Sequence, residues 1–230
     1  MASQVIPGQF VSIYSNEKDK LLPRPISICE VGEGTLRLVY RVVGKGTKEL
    51  SQAQAGKMFR LMGPLGNGYE EEYSGSAPIL VGGGVGIPPM LQLAKELSKK
   101  ENVTPVAVLG YRDSETFLKE DFEQYAQVYV STDDGSLGVK GTVVDALDQN
   151  HIHGDALFAC GPLPMLRGVK EWCQKEGISC TISLEERMAC GIGACLGCVC
   201  DSTEVDSHSK VKNKRVCKDG PVFHAGDICL

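Results

Sequence analysis

The sequence predicts a multi-domain β plus α/β chain with an antiparallel β-barrel, a five-stranded parallel Rossmann-like domain and a small C-terminal cysteine-loop domain. Three observations carry this. Residues 1–73 alternate short runs rich in β-branched and aromatic residues with Gly and Pro turns, the pattern of an antiparallel barrel. From Pro78 apolar runs alternate with amphipathic segments of helix length, the pattern of a parallel sheet. Beyond residue 185, five of the ten cysteines fall between positions 190 and 217. The predicted boundaries are therefore 1–73, 74–184 and 185–230.

Composition narrows the partners. A chain of 230 residues has room for two compact domains and an appendix. A net charge of −5 leaves no basic footprint for nucleic acid. No apolar run approaches the roughly eighteen residues of a membrane helix. The start, MASQVIPGQF, lacks the basic residues and apolar core of a signal peptide. Crowded cysteines beside an alternating strand–helix pattern suit reduced thiols better than a disulfide framework, so a cytoplasmic chain is expected, with neither membrane nor nucleic acid as partner.

Within the first part, QFVSIY, RPISICEV, TLRLVYRVV and KMFRLMG read as strands. Pro25 biases Arg24 towards an extended backbone, which aims its guanidinium off a stiff strand, where it can pair with a phosphate. Ser27 is read as sharing that face. Tyr40 and Arg41 offer an aromatic surface and a second cation on a neighbouring strand. Gly46 and Thr47 open a short helical segment, KELSQ, whose N-terminus and hydroxyl suit a pyrophosphate. RPISI, VYR and GT together resemble the flavin-binding signature of the ferredoxin-reductase superfamily, whose barrel holds FAD. The resemblance implies that Arg24, Pro25, Ile26 and Ser27 cradle the isoalloxazine and its chain. Val39, Tyr40 and Arg41 would continue along the cofactor, and Gly46 with Thr47 would meet the diphosphate. GPLGNGY at 63–69 supplies closing turns, and Glu70, Glu71 and Glu72 open a solvated linker.

In the second part PILVGG, VAVLG, VYVST, ALFAC and CTISL are the expected parallel strands. Gly82, Gly83, Gly84 and Gly86 form a strand-to-helix turn where a nucleotide phosphate can sit, and Pro88 and Pro89 suit the first helical turn. The run is not G-x-G-x-x-G, since Ile87 or Pro89 stands where the third glycine belongs, and a packing turn is the alternative. It resembles the GGG-x-G-x-x-P turn by which ferredoxin-reductase relatives bind NAD or NADP. Two further segments fall at strand ends, where open parallel sheets bind ligands. Tyr111 and Arg112 can stack an adenine or pair with a ribose phosphate. Cys160, Gly161 and Pro162 border the nicotinamide in that superfamily, with Cys160 as a small buried hydrophobe the plainer reading. Asp133 and Asp134 read as a capping turn. His151, His153, His208 and His224 show no ligand spacing, and Cys29, Cys173, Cys180 and Cys229 read as core or surface thiols.

In the third part Cys190, Cys195 and Cys198 stand at C-x4-C-x2-C with Cys217 further on, the plant-type spacing of a 2Fe-2S cluster. Gly191, Gly193, Ala194 and Gly197 give the backbone room to curl round it. Structural zinc is the alternative. Cys200 is a candidate replacement for Cys217, poorly placed to reach the far side.

Over nearly its whole length the chain resembles the electron-transfer subunits of bacterial two-subunit, NAD-linked dihydroorotate dehydrogenases, most specifically in SLEERMACGIGACLGCVC and VCKDGPVF. That family implies FAD, a 2Fe-2S cluster on Cys190, Cys195, Cys198 and Cys217, and NAD. It also implies a separate FMN-containing catalytic subunit that oxidises dihydroorotate to orotate in pyrimidine biosynthesis, in a heterotetramer of two plus two. No residue of this chain is assigned a catalytic role. The resemblance also implies a barrel about one strand short at its start. The partner surface is expected on the cluster loop and KDGPVF. The alternatives are a small subunit of an NADPH-ferredoxin transhydrogenase or sulfide dehydrogenase, and a non-redox, zinc-stapled nucleotide-binding module.

Overall fold

A computed structural model describes residues 2–16, 21–69, 73–205 and 210–230. The expected linker acids Glu70, Glu71 and Glu72, and His208, lie outside these residues.

The N-terminal part is a four-stranded antiparallel sheet. Strands β1 (Phe10–Tyr14), β2 (Arg24–Gly32), β3 (Thr35–Leu38) and β4 (Arg60–Leu65) take the order β3-β2-β1-β4, so β3 and β4 are its edges. Alternation turns Val11, Ile13 and Ile28 into a small core of their own. The strand expected over TLRLVYRVV stops at Leu38, and Val39, Tyr40 and Arg41 leave it for irregular backbone. Helix α1 (Lys45–Ser51) follows.

The second part is a seven-stranded sheet. It contains β5 (Pro78–Gly83), β6 (Val106–Tyr111), β7 (Gln127–Thr132), β8 (Val139–Lys140), β9 (Ala156–Cys160), β10 (Ser179–Ser183) and β13 (Val222–His224), in the order β13-β10-β9-β5-β6-β7-β8. The five expected strands are parallel neighbours in its middle. Helices α2 (Ile87–Leu97), α3 (Lys119–Phe122), α4 (Val143–Gln149) and α5 (Leu163–Glu176) connect them. Pro88 and Pro89 fall in the first turn of α2, where their missing donors cost nothing. Of the expected helix ETFLKEDFEQY only one turn forms, because Leu118 takes a left-handed backbone angle at its start.

The C-terminal part adds only the hairpin β11 (Val199–Asp201) with β12 (Asn213–Arg215) before it rejoins the second sheet. Strand β13 pairs antiparallel with β10, and Phe223 is buried there. Gly220, Pro221 and Phe223 of KDGPVF are thus interior, while Lys218 at its start stays exposed and Asp219 half-buried. The same tail holds the first part: the Asn67 amide donates to Gly220 O at 2.6 Å and its side chain to Asp219 O at 3.0 Å. Phe10 of β1 enters one continuous core with Cys198, Val216, Cys217 and Phe223.

Candidate functional site

The cysteine loop runs without helix or strand from Leu184 to Cys198. Its amides turn inward onto sulfur. Cys190 Sγ accepts from the amides of Ala194 and Cys195, at 3.3 and 3.4 Å, and Cys217 Sγ from that of Gly193 at 3.0 Å. Cys195 Sγ accepts from Gly197 N and Cys198 Sγ from Cys217 N, both at 3.4 Å. Gly193 has a φ of +82° and packs against the Lys218 side chain, so only glycine fits there. Arg215 grips Asp219 with two hydrogen bonds of 2.9 Å, and its Nη1 reaches Gly193 O at 3.5 Å, which ties the loop to the turn carrying Cys217.

The four thiols form two pairs, Cys190 with Cys195 and Cys198 with Cys217. Cys217 also feels the charge of Cys190, so the two pairs adjoin. Two pairs suit two irons. Burial works against ionisation of Cys190, but the amides of Ile192, Cys195 and Ala194 and the Cys195 thiol outweigh it, and its pKa falls to about 6. Cys200 joins neither pair. Its thiol donates to Lys214 O at 3.6 Å within the β11–β12 hairpin, and burial pushes it up to about 11.

The predicted flavin residues divide between two faces of β2. Directly paired residues of antiparallel strands share a face. Ser27 lies opposite Phe10 and Pro25 opposite Ser12, while Ile26 and Arg24 pair with the core residues Val11 and Ile13. Ser27 is three residues from Arg24 and so faces away from it, which corrects the expectation of a shared face. Arg24 meets Gly46 of α1 closely enough that a β-carbon at 46 would land on the guanidinium. This contact brings the expected phosphate-pairing cation Arg24 against Gly46 of the expected diphosphate turn, and the guanidinium also donates to Leu22 O. The Thr47 hydroxyl is engaged by its own helix: it accepts from the amides of Val43 and Gly44, at 3.0 and 3.2 Å, and donates to Gly44 O at 3.1 Å. Tyr40 is half-buried and Arg41 exposed.

In the second sheet the two predicted NAD segments touch. A β-carbon at Gly86 would strike the Cys160 carbonyl and lie 2.6 Å from Gly161 N, and one at Gly161 would lie 3.3 Å from Gly83 N. Gly82, Gly83, Gly84, Gly86, Cys160, Gly161 and Pro162 thus lie together at the carboxyl ends of β5 and β9, with Gly84 and Pro162 exposed and Gly82, Gly83 and Gly86 buried beneath. Desolvation pushes the Cys160 thiol up to about 12, while its surface leaves the residue half-buried rather than fully enclosed. Tyr111 cannot serve as an adenine platform: its ring is buried, and its hydroxyl donates to Phe117 O at 2.9 Å. That loop exposes Arg112 and Phe117, the latter edge-on to Tyr111, with Asp113, Ser114 and Glu115 exposed between them. Sequence reasoning passed over Phe117, whose one signal was an aromatic residue in a strand-end loop. Asp134 forms the expected turn by accepting from Ser136 N and Oγ, at 2.9 and 2.7 Å.

These surfaces match known families. Residues 185–229 match the iron-sulfur cluster binding domain of dihydroorotate dehydrogenase B, and residues 80–171 the oxidoreductase NAD-binding domain. The electron transfer subunit of dihydroorotate dehydrogenase B (NAD(+)) from Bacillus caldolyticus is 44% identical over 230 residues, covering 97% of this chain and 87% of that protein. The same subunit from Fusobacterium nucleatum is 40% identical over 232 residues, covering 96% and 86%. Among solved structures, an NADH-dependent reduced ferredoxin-NADP oxidoreductase superposes with a TM-score of 0.87 at 32% identity, covering 99% of this chain and 81% of that one. With identity of this order along its whole length and a cysteine loop of the matching kind, the chain belongs to the electron transfer subunits of dihydroorotate dehydrogenase B (NAD(+)).

Proposed function

We propose that this chain relays electrons to NAD+ from a separate FMN-containing subunit that oxidises dihydroorotate to orotate, in a cytoplasmic heterotetramer of two plus two. When bound, a 2Fe-2S cluster exchanges single electrons, nicotinamide takes a hydride and flavin handles either. Cys190 with Cys195 would hold one iron and Cys198 with Cys217 the other, with the inward amides stabilising charge on sulfur. Arg24 beside Gly46 would hold the FAD diphosphate, and Pro25, Ile26 and Ser27 would line the ring. Val39, Tyr40 and Arg41 would flank the rest, and Thr47 would keep the α1 turn in shape. The Gly82–Gly86 turn with Cys160, Gly161 and Pro162 would seat the nicotinamide nucleotide, and Arg112 would meet its adenosine half. No residue here is given a proton-transfer role; the chain positions, insulates and tunes.

The observation that carries this reading is the shared face of the first sheet. Ser27, the candidate flavin contact, points to the same side as Phe10 and Ser12, and that side is covered by the cysteine loop. The loop in turn exposes Ile192 and Leu196 beside the half-buried and exposed thiols Cys190 and Cys195, an apolar rim that suits a partner subunit. The test is the anaerobic visible spectrum of the purified chain before and after NADH. Flavin and iron-sulfur bands that both bleach are expected, together with dihydroorotate oxidation only after the FMN subunit is added. Dihydroorotate oxidation by the single chain would overturn the division of labour.

The similarity to the NADH-dependent reduced ferredoxin-NADP oxidoreductase favours one second reading, a subunit that exchanges electrons with ferredoxin. Reduction of NAD+ by dihydroorotate in the co-expressed complex, with no ferredoxin dependence, decides against it.

A further inference from the structure

The seam between β1 and the cysteine loop holds a polar atom that the polypeptide leaves unsatisfied. Ser12, in the middle of β1, is 1% exposed, and among the described residues its Oγ is the only buried side-chain nitrogen or oxygen without a hydrogen-bond partner. Such a hydroxyl costs about 1–3 kcal/mol unless something satisfies it, a cost that alanine at the same place would not carry. The strand itself does not need it, because β1 is paired with β2 and β4 on its two sides, Ser12 opposite Pro25 and Met62.

The surroundings narrow its partner. Ser12 shares its face with Phe10, which packs in the core that holds Cys198 and Cys217. A β-carbon at Gly191 would lie 3.1 Å from Ser12 Oγ, and 3.4 Å from both Leu65 Cδ1 and Met62 Cε. The hydroxyl therefore faces the residue that follows Cys190, between two apolar side chains and where glycine leaves the way open.

We propose that Ser12, whose hydroxyl reaches no sulfur of the chain itself, donates its hydroxyl hydrogen to an inorganic sulfide of the 2Fe-2S cluster and thereby raises the reduction potential of that cluster. This rests on the cluster assignment made above. Reduction adds one electron, and a hydrogen-bond donor on sulfur stabilises the more negative state. Between Met62 and Leu65 the bond is poorly screened by water, which strengthens it. Ser12 is then a tuning residue that sets how the electron divides between cluster and flavin.

The experiment is a potentiometric titration of the full, cofactor-loaded chain, with the cluster followed by EPR and the flavin by absorbance. Ser12→Ala is expected to lower the cluster potential and shift electron partition towards FAD by at least about threefold, tenfold being about 59 mV for one electron. The FAD potential and the KM for NADH should stay as in the parent, and Ser12→Thr should restore the cluster potential. An unchanged cluster potential in Ser12→Ala, or a shift of the FAD potential alone, overturns the proposal. Resonance Raman of the parent and of Ser12→Ala in ordinary and deuterated buffer separates this hydroxyl from the loop amides, which exchange in both proteins. A deuterium shift of the bridging Fe–S stretch that is lost in Ser12→Ala identifies the sulfide as acceptor, and identical shifts in the two proteins overturn the proposal. A parent protein with no cluster signal at all would overturn the cluster assignment too, and that failure shows itself before any variant is made.

Discussion

Gly46 lies directly beneath the Arg24 guanidinium, with no space for a β-carbon between them. The pair joins the start of β2 to the first turn of α1, so both elements hold one cation in place. Gly46→Ala should displace that guanidinium and weaken FAD about tenfold, or about 1.4 kcal/mol. Flavin content of the purified variant, and titration of the flavin-free protein with FAD, measure it. Full occupancy with unchanged affinity would remove Arg24 from the diphosphate site.

Cys217→Ser should abolish the iron-sulfur absorption and acid-labile sulfide, because it takes one sulfur from the Cys198 pair. Cys200→Ser should leave both intact, since that thiol is spent on the Lys214 carbonyl. The reverse pattern would make Cys200 the fourth ligand.

Gly86 abuts the Cys160 backbone, so Gly86→Ala must push β9 away from the glycine turn. Overpacking of this kind costs about 1–3 kcal/mol. Thermal unfolding should show a lowered Tm, and reduction of bound FAD by NADH should require more nucleotide in the variant. Unchanged Tm and KM would show that the turn yields freely.

Asp155 accepts from Ser76 N at 2.7 Å, Ala77 N at 3.0 Å and the Tyr73 hydroxyl, pinning the entry to β5 against the entry to β9. Burial opposes its ionisation, but the Tyr73 hydroxyl and the amides of Ala77 and Ser76 prevail and hold its carboxyl below the ordinary aspartate range. The folded pKa is below the unfolded one, so this contribution is complete above about pH 4 and fades as pH falls through the folded value. Asp155→Asn should be less stable than the parent at pH 7, and denaturant titrations should show the gap closing below about pH 4. A gap independent of pH would mean that charge at this position is immaterial.

The parallel sheet and the cysteine spacing were legible because each rests on a local pattern. Apolar runs such as PILVGG specify buried strands, and C-x4-C-x2-C gathers three thiols in one loop, although the pairing of Cys198 with Cys217 is long-range. Contacts between parts were not legible. That Val222–His224 would enter the second sheet depends on β10 offering an edge, which KDGPVF does not announce. Tyr111 looked like a stacking platform from its place at a strand end, but Phe117 arrives from the following loop to cover it. Arg24 and Ser27 stand three positions apart, an odd step in a period of two, so they take opposite faces, as the pairing of Ser27 with Phe10 shows. Ser12 gave no sign at all, being one serine in an apolar strand.

The return of the tail as β13 bears on how the chain is made. Strand β10 is synthesised well before Val222, so its outer edge has no neighbour until the segment carrying β13 emerges. The cysteine loop lies between these two strands in the chain, so their pairing closes a loop that carries Cys190, Cys195, Cys198 and Cys217. A nascent chain halted before β13 is left with a bare strand edge on β10, a template on which another unfinished copy can pair.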